Sequence, residues 1–235
     1  MPVMRARGRA IVVRRRLRET VRMTVEERVL ARWVELAGEH FGAVGSDLIE
    51  RYGEPHRRYH TVEHLAAVLA VVDDLAEDAD DVAAVRYAAF FHDAIYAVDR
   101  ADNEERSAEL AESTLPALGA SPELAGEVGR LVRLTATHHT AADDRNGNVL
   151  CDADLAILAA DASGYAAYTR AVRAEYRHVP DDLFRAGRAA VLRKLAEQPY
   201  LFRTSAARRR YESAARANLA AELVALAIEQ PDSLR

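Results

Sequence analysis

Residues 82–98 read VAAVRYAAFFHDAIYAV, an unusually apolar segment in which His92 and Asp93 are adjacent. Its apolar side chains recur at helical spacing, so we predict a helix over this whole range, at the centre of the fold. A carboxylate beside an imidazole in such surroundings costs free energy unless something compensates both groups. Either the two form a buried hydrogen bond, or both bind a divalent metal, whose ordinary ligands include imidazole nitrogen and carboxylate oxygen. The apolar neighbourhood favours the metal.

Two more ionisable residues interrupt apolar helical sequence. His64 lies in HTVEHLAAVLAVV and shares a helical stripe with residues that should face the core. Asp154 lies in VLCDADLAILAA, one turn inside a predicted helix, whereas Asp152 is predicted to cap that helix or to lie in its first turn. Residues two apart cannot share a helical face, so Asp154 is the candidate ligand. The simpler interpretation makes His64 a hydrogen-bonded core residue and both aspartates first-turn acids.

Three further histidines are candidates for the same site. His60 precedes His64 by four residues and would share its face of one helix, although alone it could be a capping or surface residue. His138 and His139 come late in a helix predicted over 121–139, and helical spacing directs His138 inward. His138 would bind substrate phosphate or a second metal, or it would simply place a cation near a helix C-terminus.

Helical periodicity extends through nearly the whole chain, and we find no convincing strand alternation in the sequence. We therefore predict an all-α fold, a single domain of about eight or nine helices over 24–235. Thr24 and Glu27 form a capping box at the first helix. Loop or turn is predicted for 51–59 and 143–148, and helices for 24–41, 61–77, 82–98, a segment capped at 102–103, 121–139, 151–160, 165–178, 182–197 and 205–229.

Composition and charge narrow the class of protein. The 235 residues are 50% hydrophobic and include one cysteine, Cys151, so no internal disulfide can form and a cytoplasmic location is expected. No apolar run approaches the roughly 20 residues needed to span a membrane, so we expect no membrane partner. Residues 1–23 hold eight arginines and one glutamate and carry +7; because the whole chain carries −5, the remainder carries −12. We predict a disordered basic extension over 1–23, with a nucleic-acid-binding arm as the alternative, but the acidic body argues against nucleic acid as a partner.

Taken in order, His64, His92-Asp93 and Asp154 resemble the H…HD…D signature of the HD superfamily of metal-dependent phosphohydrolases. The segments RYHTVEH, FFHDAIY, DNEERSAELA, CDADLAIL and YESAARANLAAEL are similar to one uncharacterised bacterial branch of it, and the resemblance covers about 24–226. It implies an HD-type helical bundle in which His64, His92, Asp93 and Asp154 hold a divalent metal ion. Mn, Co, Ni, Fe, Mg and Zn all stay open as the metal.

The resemblance also implies roles beyond the ligands. The spacing of His60 and His64 after a tyrosine is similar to that in the helical cyclic-nucleotide phosphodiesterases, which implies that His60 is the general acid. Many HD proteins carry a glutamate soon after the HD pair, and HDAIYAVD lacks one, so Asp99, Asn103, Glu104 or Glu105 would have to serve as the base. We take Glu105 as the candidate. The candidate substrate-binding residues are His138, His139, Arg58 and Asn103.

The implied function is hydrolysis of a small-molecule phosphate ester, such as a nucleotide, by metal-activated water. Two other functions stay open. One is a di-iron oxygenase with an HD fold, which would need additional histidine ligands; the other is a non-catalytic domain that binds a nucleotide and signals its presence. The sequence leaves the substrate, the number of metal ions and the oligomeric state undecided, and the long last helix could pack against a copy of itself in a homo-oligomer.

Overall fold

The computed structural model describes residues 23–228. This part of the chain contains α-helices and short 3₁₀ turns and no β-strand, so the predicted all-α class is confirmed. None of its helices has the length and apolar character of a membrane span. The predicted basic extension lies outside the described residues, except for Met23. The ten helices are α1 (Val25–Ala37), α2 (Gly42–Tyr52), α3 (Val62–Asp74), α4 (Val82–Phe91), α5 (Asn103–Thr114), α6 (Pro122–Leu134), α7 (Arg145–Leu155), α8 (Ala162–Glu175), α9 (Asp181–Ala196) and α10 (Ser205–Ile228).

The described residues form more helices than the predicted eight or nine because the first predicted helix ends early and an additional helix follows it. Gly38 ends α1 with a φ of 100°, a conformation that glycine adopts at little cost. This additional helix, α2, starts at Gly42, in a segment for which the sequence gives no prediction, and its last two residues lie in the predicted loop over 51–59. The predicted capping box of Thr24 and Glu27 is present at the start of α1.

The central position predicted for the apolar segment is correct, but its predicted length is not. α4 packs against α3, α6 and α7, and its residues from Tyr87 to Phe91 are buried. The helix ends at Phe91 and not at Val98, so His92 and Asp93 lie in the turn that follows it. Hydrogen bonds from distant residues hold this turn, and no local sequence signal reveals them.

Two side chains from elsewhere in the chain fix the turn after α4. The Tyr52 hydroxyl donates to the Phe90 carbonyl at 3.1 Å and accepts the Asp93 N–H at 3.3 Å. The buried guanidinium of Arg57 donates to the carbonyl of Asp93 at 2.7 Å and to that of Ala94 at 3.3 Å. Because these carbonyls are satisfied from outside the helix, the chain can leave the helical path without an unpaired buried group.

The region around Asp154 also departs from prediction. The predicted turn over 143–148 is largely helical, because the Asp144 side chain accepts the Gly147 N–H at 2.9 Å and caps α7. As a result α7 covers Arg145–Leu155, and the predicted helix over 151–160 ends early, in a 3₁₀ turn. Asp154 is therefore in the last turn of α7 and not in the first turn of a helix.

The neighbouring carboxylate, Asp152, has a different role from the one predicted. It is buried in the middle of α7, where it neither caps that helix nor lies in its first turn. Its two oxygens accept the backbone N–H groups of Arg203, at 2.6 Å, and Thr204, at 2.7 Å, directly before α10. Asp152 thereby ties the start of α10 to α7.

The packing of α1 against α2 gives a direct test of the fold. A methyl group at Gly45 would lie 2.3 Å from Cδ1 of the buried Trp33. Gly45→Ala should therefore lower the free energy of unfolding by about 1–3 kcal/mol, measured by urea denaturation. Gly126→Ala is the matched control, since nothing lies within 4 Å of its added methyl group; this change should stabilise α6 by about 0.5–1 kcal/mol. Equal effects of the two substitutions would contradict the α1–α2 packing.

Candidate metal centre

Three side chains from separate parts of the fold converge on one point. His64 comes from α3, His92 from the turn after α4, and Asp154 from α7, and one ligand atom of each lies within 4.8 Å of the others. His64 Nε2 is 3.2 Å from His92 Nε2 and 3.2 Å from Asp154 Oδ1. Two ligands of a tetrahedral ion, each about 2.1 Å from it, lie about 3.4 Å apart. The three residues therefore form a cluster that could bind a metal ion.

Asp93, the fourth predicted ligand, lies beside this cluster. Its Oδ2 is 3.1 Å from His92 Nε2 and 3.5 Å from His64 Nε2. The structure thus brings together all four side chains that the sequence names as ligands. Their role as ligands stays a prediction, and we refer to His64, His92, Asp93 and Asp154 as the metal cluster.

The orientation of His92 suits ligation. Its Nδ1 lies 2.8 Å from the Ala89 carbonyl and donates an N–H to it. In the neutral imidazole this fixes the proton on Nδ1, so the lone pair of Nε2 faces the metal cluster. In known metal sites, a histidine ligand usually donates its other ring N–H to a carbonyl or carboxylate in this way, which fixes its tautomer and orientation.

The cluster's own charges shift its pKa values. Burial alone would lower the pKa of His92, but Asp93 and Asp154 outweigh this and raise it to about 9. Burial likewise opposes ionisation of Asp93 and Asp154, yet the surrounding histidines hold the pKa of both carboxyls below its ordinary value. Without a cation, the charged carboxylates are balanced by protonated imidazole; a dication would supply the same balance and release protons.

His138 reaches the metal cluster by a route that the sequence does not reveal. α6 ends at Leu134, so His138 is not on the inward face of a helix as predicted. It has a φ of 53°, a left-handed conformation that costs a residue with a side chain about 1–2 kcal/mol. This turn sets His138 Nε2 2.8 Å from Asp154 Oδ2, the oxygen that does not face His64. The neighbouring His139 is exposed, and within residues 23–228 its side chain makes no hydrogen bond or ion pair with the cluster.

His60 lies beside the metal cluster, but not on the predicted shared helical face. α3 begins at Val62, so His60 precedes it, and its ring centre lies 5.9 Å from that of His64. His60 Nδ1 is 2.7 Å from Glu175 Oε2. Burial would lower the pKa of His60, but the charges of Asp93 and Glu175 raise it above its ordinary value.

Glu175 is an important residue that the sequence interpretation missed. Its fully buried carboxylate accepts five hydrogen bonds: from the backbone N–H groups of Arg58, Tyr59 and His60, from the His60 ring and from the Tyr96 hydroxyl. Although burial opposes it, these donors lower the pKa of Glu175 to about 2. A signal was present, since Glu175 continues the buried helical stripe of Tyr165, Tyr168 and Val172.

Three other predicted site residues have structural contacts instead. Glu105 is half exposed on α5 and forms an ion pair with Arg133 at 2.8 Å, so its position does not support a role as the base. Asn103 holds the backbone of Ala97, accepting its N–H at 3.0 Å and donating to its carbonyl at 2.9 Å. The Arg58 guanidinium donates to two backbone carbonyls of its own loop, although the residue also lines a cavity at the cluster.

Two cavities meet at Asp154. The large cavity, of about 680 Å³, reaches His64 and Asp154 and is walled mainly by small apolar side chains. The small cavity, of about 300 Å³, is lined by more polar groups and also reaches Asp154. Its polar wall includes His60, His138, Arg188, Lys194 and Gln198. Asp154 of the metal cluster therefore borders both cavities, and His64 borders the large one.

Comparison of the chain with protein-family models, with curated proteins and with solved structures finds no match in any of the three. The resemblance to the HD superfamily therefore depends on the residues and spacings of this sequence alone.

The two aspartates of α7 give a matched test of the metal cluster. Asp154→Asn and His92→Ala should abolish stoichiometric binding of Zn²⁺ or Mn²⁺, because the first replaces a carboxylate ligand by a neutral amide and the second removes a ligand nitrogen. Asp152→Asn should keep the metal but lower the free energy of unfolding by about 1–3 kcal/mol, because a buried N–H loses its acceptor. Elemental analysis after metal loading and gel filtration, with urea denaturation, measures both properties. Full metal content in Asp154→Asn would reject the site.

The lowered pKa of Glu175 predicts how the stability of the protein depends on pH. Its pKa is about 2 in the folded chain against an ordinary 4.5, so its stabilising contribution is complete above about pH 5 and is lost as the pH falls through 4.5 towards 2. Glu175→Gln should therefore cost up to about 3 kcal/mol of unfolding free energy near pH 7, and progressively less below pH 5. Glu109→Gln, on an exposed face of α5, is the control. A cost that does not change with pH would show that the Glu175 charge is not the stabilising element.

Proposed function

We propose that the protein is a metal-dependent phosphohydrolase that cleaves a phosphate ester of a small molecule, such as a nucleotide. The observation that carries this proposal is the convergence of His64, His92 and Asp154 beside open cavities. A buried charged cluster is expensive for a purely structural or binding module, and it is justified where it holds a cation at a reaction site.

The donor set fits a divalent ion. Two imidazole nitrogens and one carboxylate oxygen are present, with Asp93 as a fourth donor next to them. A cation bound there would lower the pKa of a water towards about 7 and polarise a phosphoryl oxygen. Among the ligands, His92 is oriented by the Ala89 carbonyl and Asp154 by His138. These contacts hold the donors in place before any ion or substrate arrives.

His60 has the position and surroundings of a general acid. Its side chain is 22% exposed and lines the small cavity, so a substrate can reach it. Glu175 holds Nδ1, which leaves Nε2 as the nitrogen that can donate a proton. The raised pKa of His60 favours the protonated ring near neutral pH. In this proposal His60 protonates the oxygen of the departing alcohol as the bond to phosphorus breaks.

The large cavity suits the organic part of the ester. Its wall is formed mainly by alanines and by tyrosine rings, so it favours an apolar or flat group of the size of a nucleoside. Asp154 belongs to both cavities, and a substrate that occupies the two would place its ester bond next to the metal cluster.

The test combines a substrate screen with a leaving-group experiment. The protein loaded with each metal in turn should release phosphate from at least one member of a panel of nucleotides and sugar phosphates. His60→Gln should lower kcat for alkyl esters by about 10²–10⁴, because a poor leaving group needs the acid. It should change p-nitrophenyl phosphate hydrolysis far less, because that leaving group departs without a proton.

His40→Ala, at an exposed histidine between α1 and α2, is the control and should leave turnover unchanged. Absence of phosphate release with every metal, or equal activity of wild-type and Asp154→Asn protein, would overturn the proposal. Oxygen uptake by the iron-loaded protein would favour the oxygenase instead.

A further inference from the structure

Lys194 is the only lysine in the chain; the other 31 of its 32 basic residues are arginines. It lies near the end of α9, exposed to solvent, on the wall of the small cavity. The same wall includes His60, His138 and Asp154. The only lysine ammonium of this protein therefore shares a cavity with Asp154 of the metal cluster.

The charges around the small cavity make Lys194 different from its neighbour Arg188. The Arg188 guanidinium is matched by Glu222, with Nε 2.7 Å from Oε1, and it also donates to the Tyr168 hydroxyl at 3.0 Å. Within residues 23–228, the Lys194 ammonium forms no ion pair or hydrogen bond. Lys194 is thus the cation of this cavity whose charge the described protein does not balance.

A second group of the same wall also lacks a partner. Tyr59 lines both the small and the large cavity, and its hydroxyl is buried and makes no hydrogen bond with any described residue. Buried polar groups are nearly always hydrogen-bonded, so one without a partner next to a cavity indicates an oxygen acceptor from a ligand or a water. An ammonium without a counter-ion and a hydroxyl without an acceptor are the groups with which a bound oxyanion would pair.

We propose that the small cavity binds the terminal phosphate of the substrate, with Lys194 as its counter-ion and the Tyr59 hydroxyl as a donor. This deepens the proposed function, on which it rests: the substrate would be a phosphate monoester, with its charged end in the small cavity and its organic part in the large one. Lysine suits this role because its ammonium is a compact charge that can follow a phosphate through the reaction.

Because Lys194 is unique, it can be observed directly. Reductive methylation with ¹³C-formaldehyde labels Lys194 and the N-terminal amine and keeps their charge, so NMR gives one signal for the site and one internal reference. Inorganic phosphate, added with and without Mg²⁺, should shift the Lys194 signal saturably and leave the reference unchanged. Calorimetry should give a phosphate Kd about tenfold higher in Lys194→Met, the usual scale for a charged hydrogen bond.

Arg193→Met is the matched control, since it removes one positive charge from the adjacent, exposed position of α9 and does not line the cavity. It should leave the phosphate Kd unchanged, Lys194→Arg should retain most of the affinity, and Tyr59→Phe should weaken it. A Lys194 signal that phosphate does not move, or a Lys194→Met variant that binds phosphate as tightly as the wild type, would overturn the phosphate site.

The two proposals can fail separately. Saturable phosphate binding at Lys194 without hydrolysis of any ester would reject the phosphohydrolase and leave the oxyanion site standing. Ester hydrolysis with the same KM in wild type, Lys194→Met and Arg193→Met would reject the oxyanion site and leave the phosphohydrolase standing.

Discussion

Charge compensation inside an apolar core is the constraint on which this structure depends. Two carboxylates and two imidazoles meet where α3, the turn after α4, and α7 come together, with nearest atoms 3.1–3.8 Å apart. Such groups are stable there only if their charges balance, by protons on the histidines or by a cation. The raised pKa of His92 and the lowered pKa of Asp93 mean that, without an ion, a proton on the imidazole balances the charge of the carboxylate. A divalent ion would balance the charge of the same side chains instead.

A second layer of interactions holds the cluster in position. Glu175 brings α8 against the loop before α3 by accepting three consecutive backbone N–H groups, and it orients His60 with its other oxygen. Arg57 and Tyr52 hold the turn that carries His92 and Asp93. Side chains that orient ligands in this way set the precision of a site. The geometry of the metal cluster therefore also depends on residues outside it.

The two cavities beside the cluster differ in the chemistry of their walls. Alanines form much of the wall of the large cavity, which also includes Arg58, Glu63 and His64, whereas the small cavity is lined by His60, His138, Arg188 and Lys194. Asp154 lies at the boundary, with one oxygen towards His64 and the other held by His138. A molecule with one charged end and one apolar end matches this division, and this is why the proposed substrate is a phosphate monoester with an organic body.

The helical class and the four side chains that meet in the cluster were predictable from the sequence, although their role as metal ligands stays a prediction. Helical periodicity is a local property, and an ionisable residue inside an apolar stripe is visible without any structure, as at His64 and at His92. Other features became visible only in the folded chain: where α4 and α7 end, how His138 reaches Asp154, that Glu105 pairs with Arg133 and that Lys194 shares a cavity with Asp154. Helix ends here depend on hydrogen bonds from residues such as Tyr52, about forty positions away in sequence, and the distance between side chains on different helices depends on how those helices pack. A periodic pattern encodes which face of a helix is buried, but not which residue of another helix it meets.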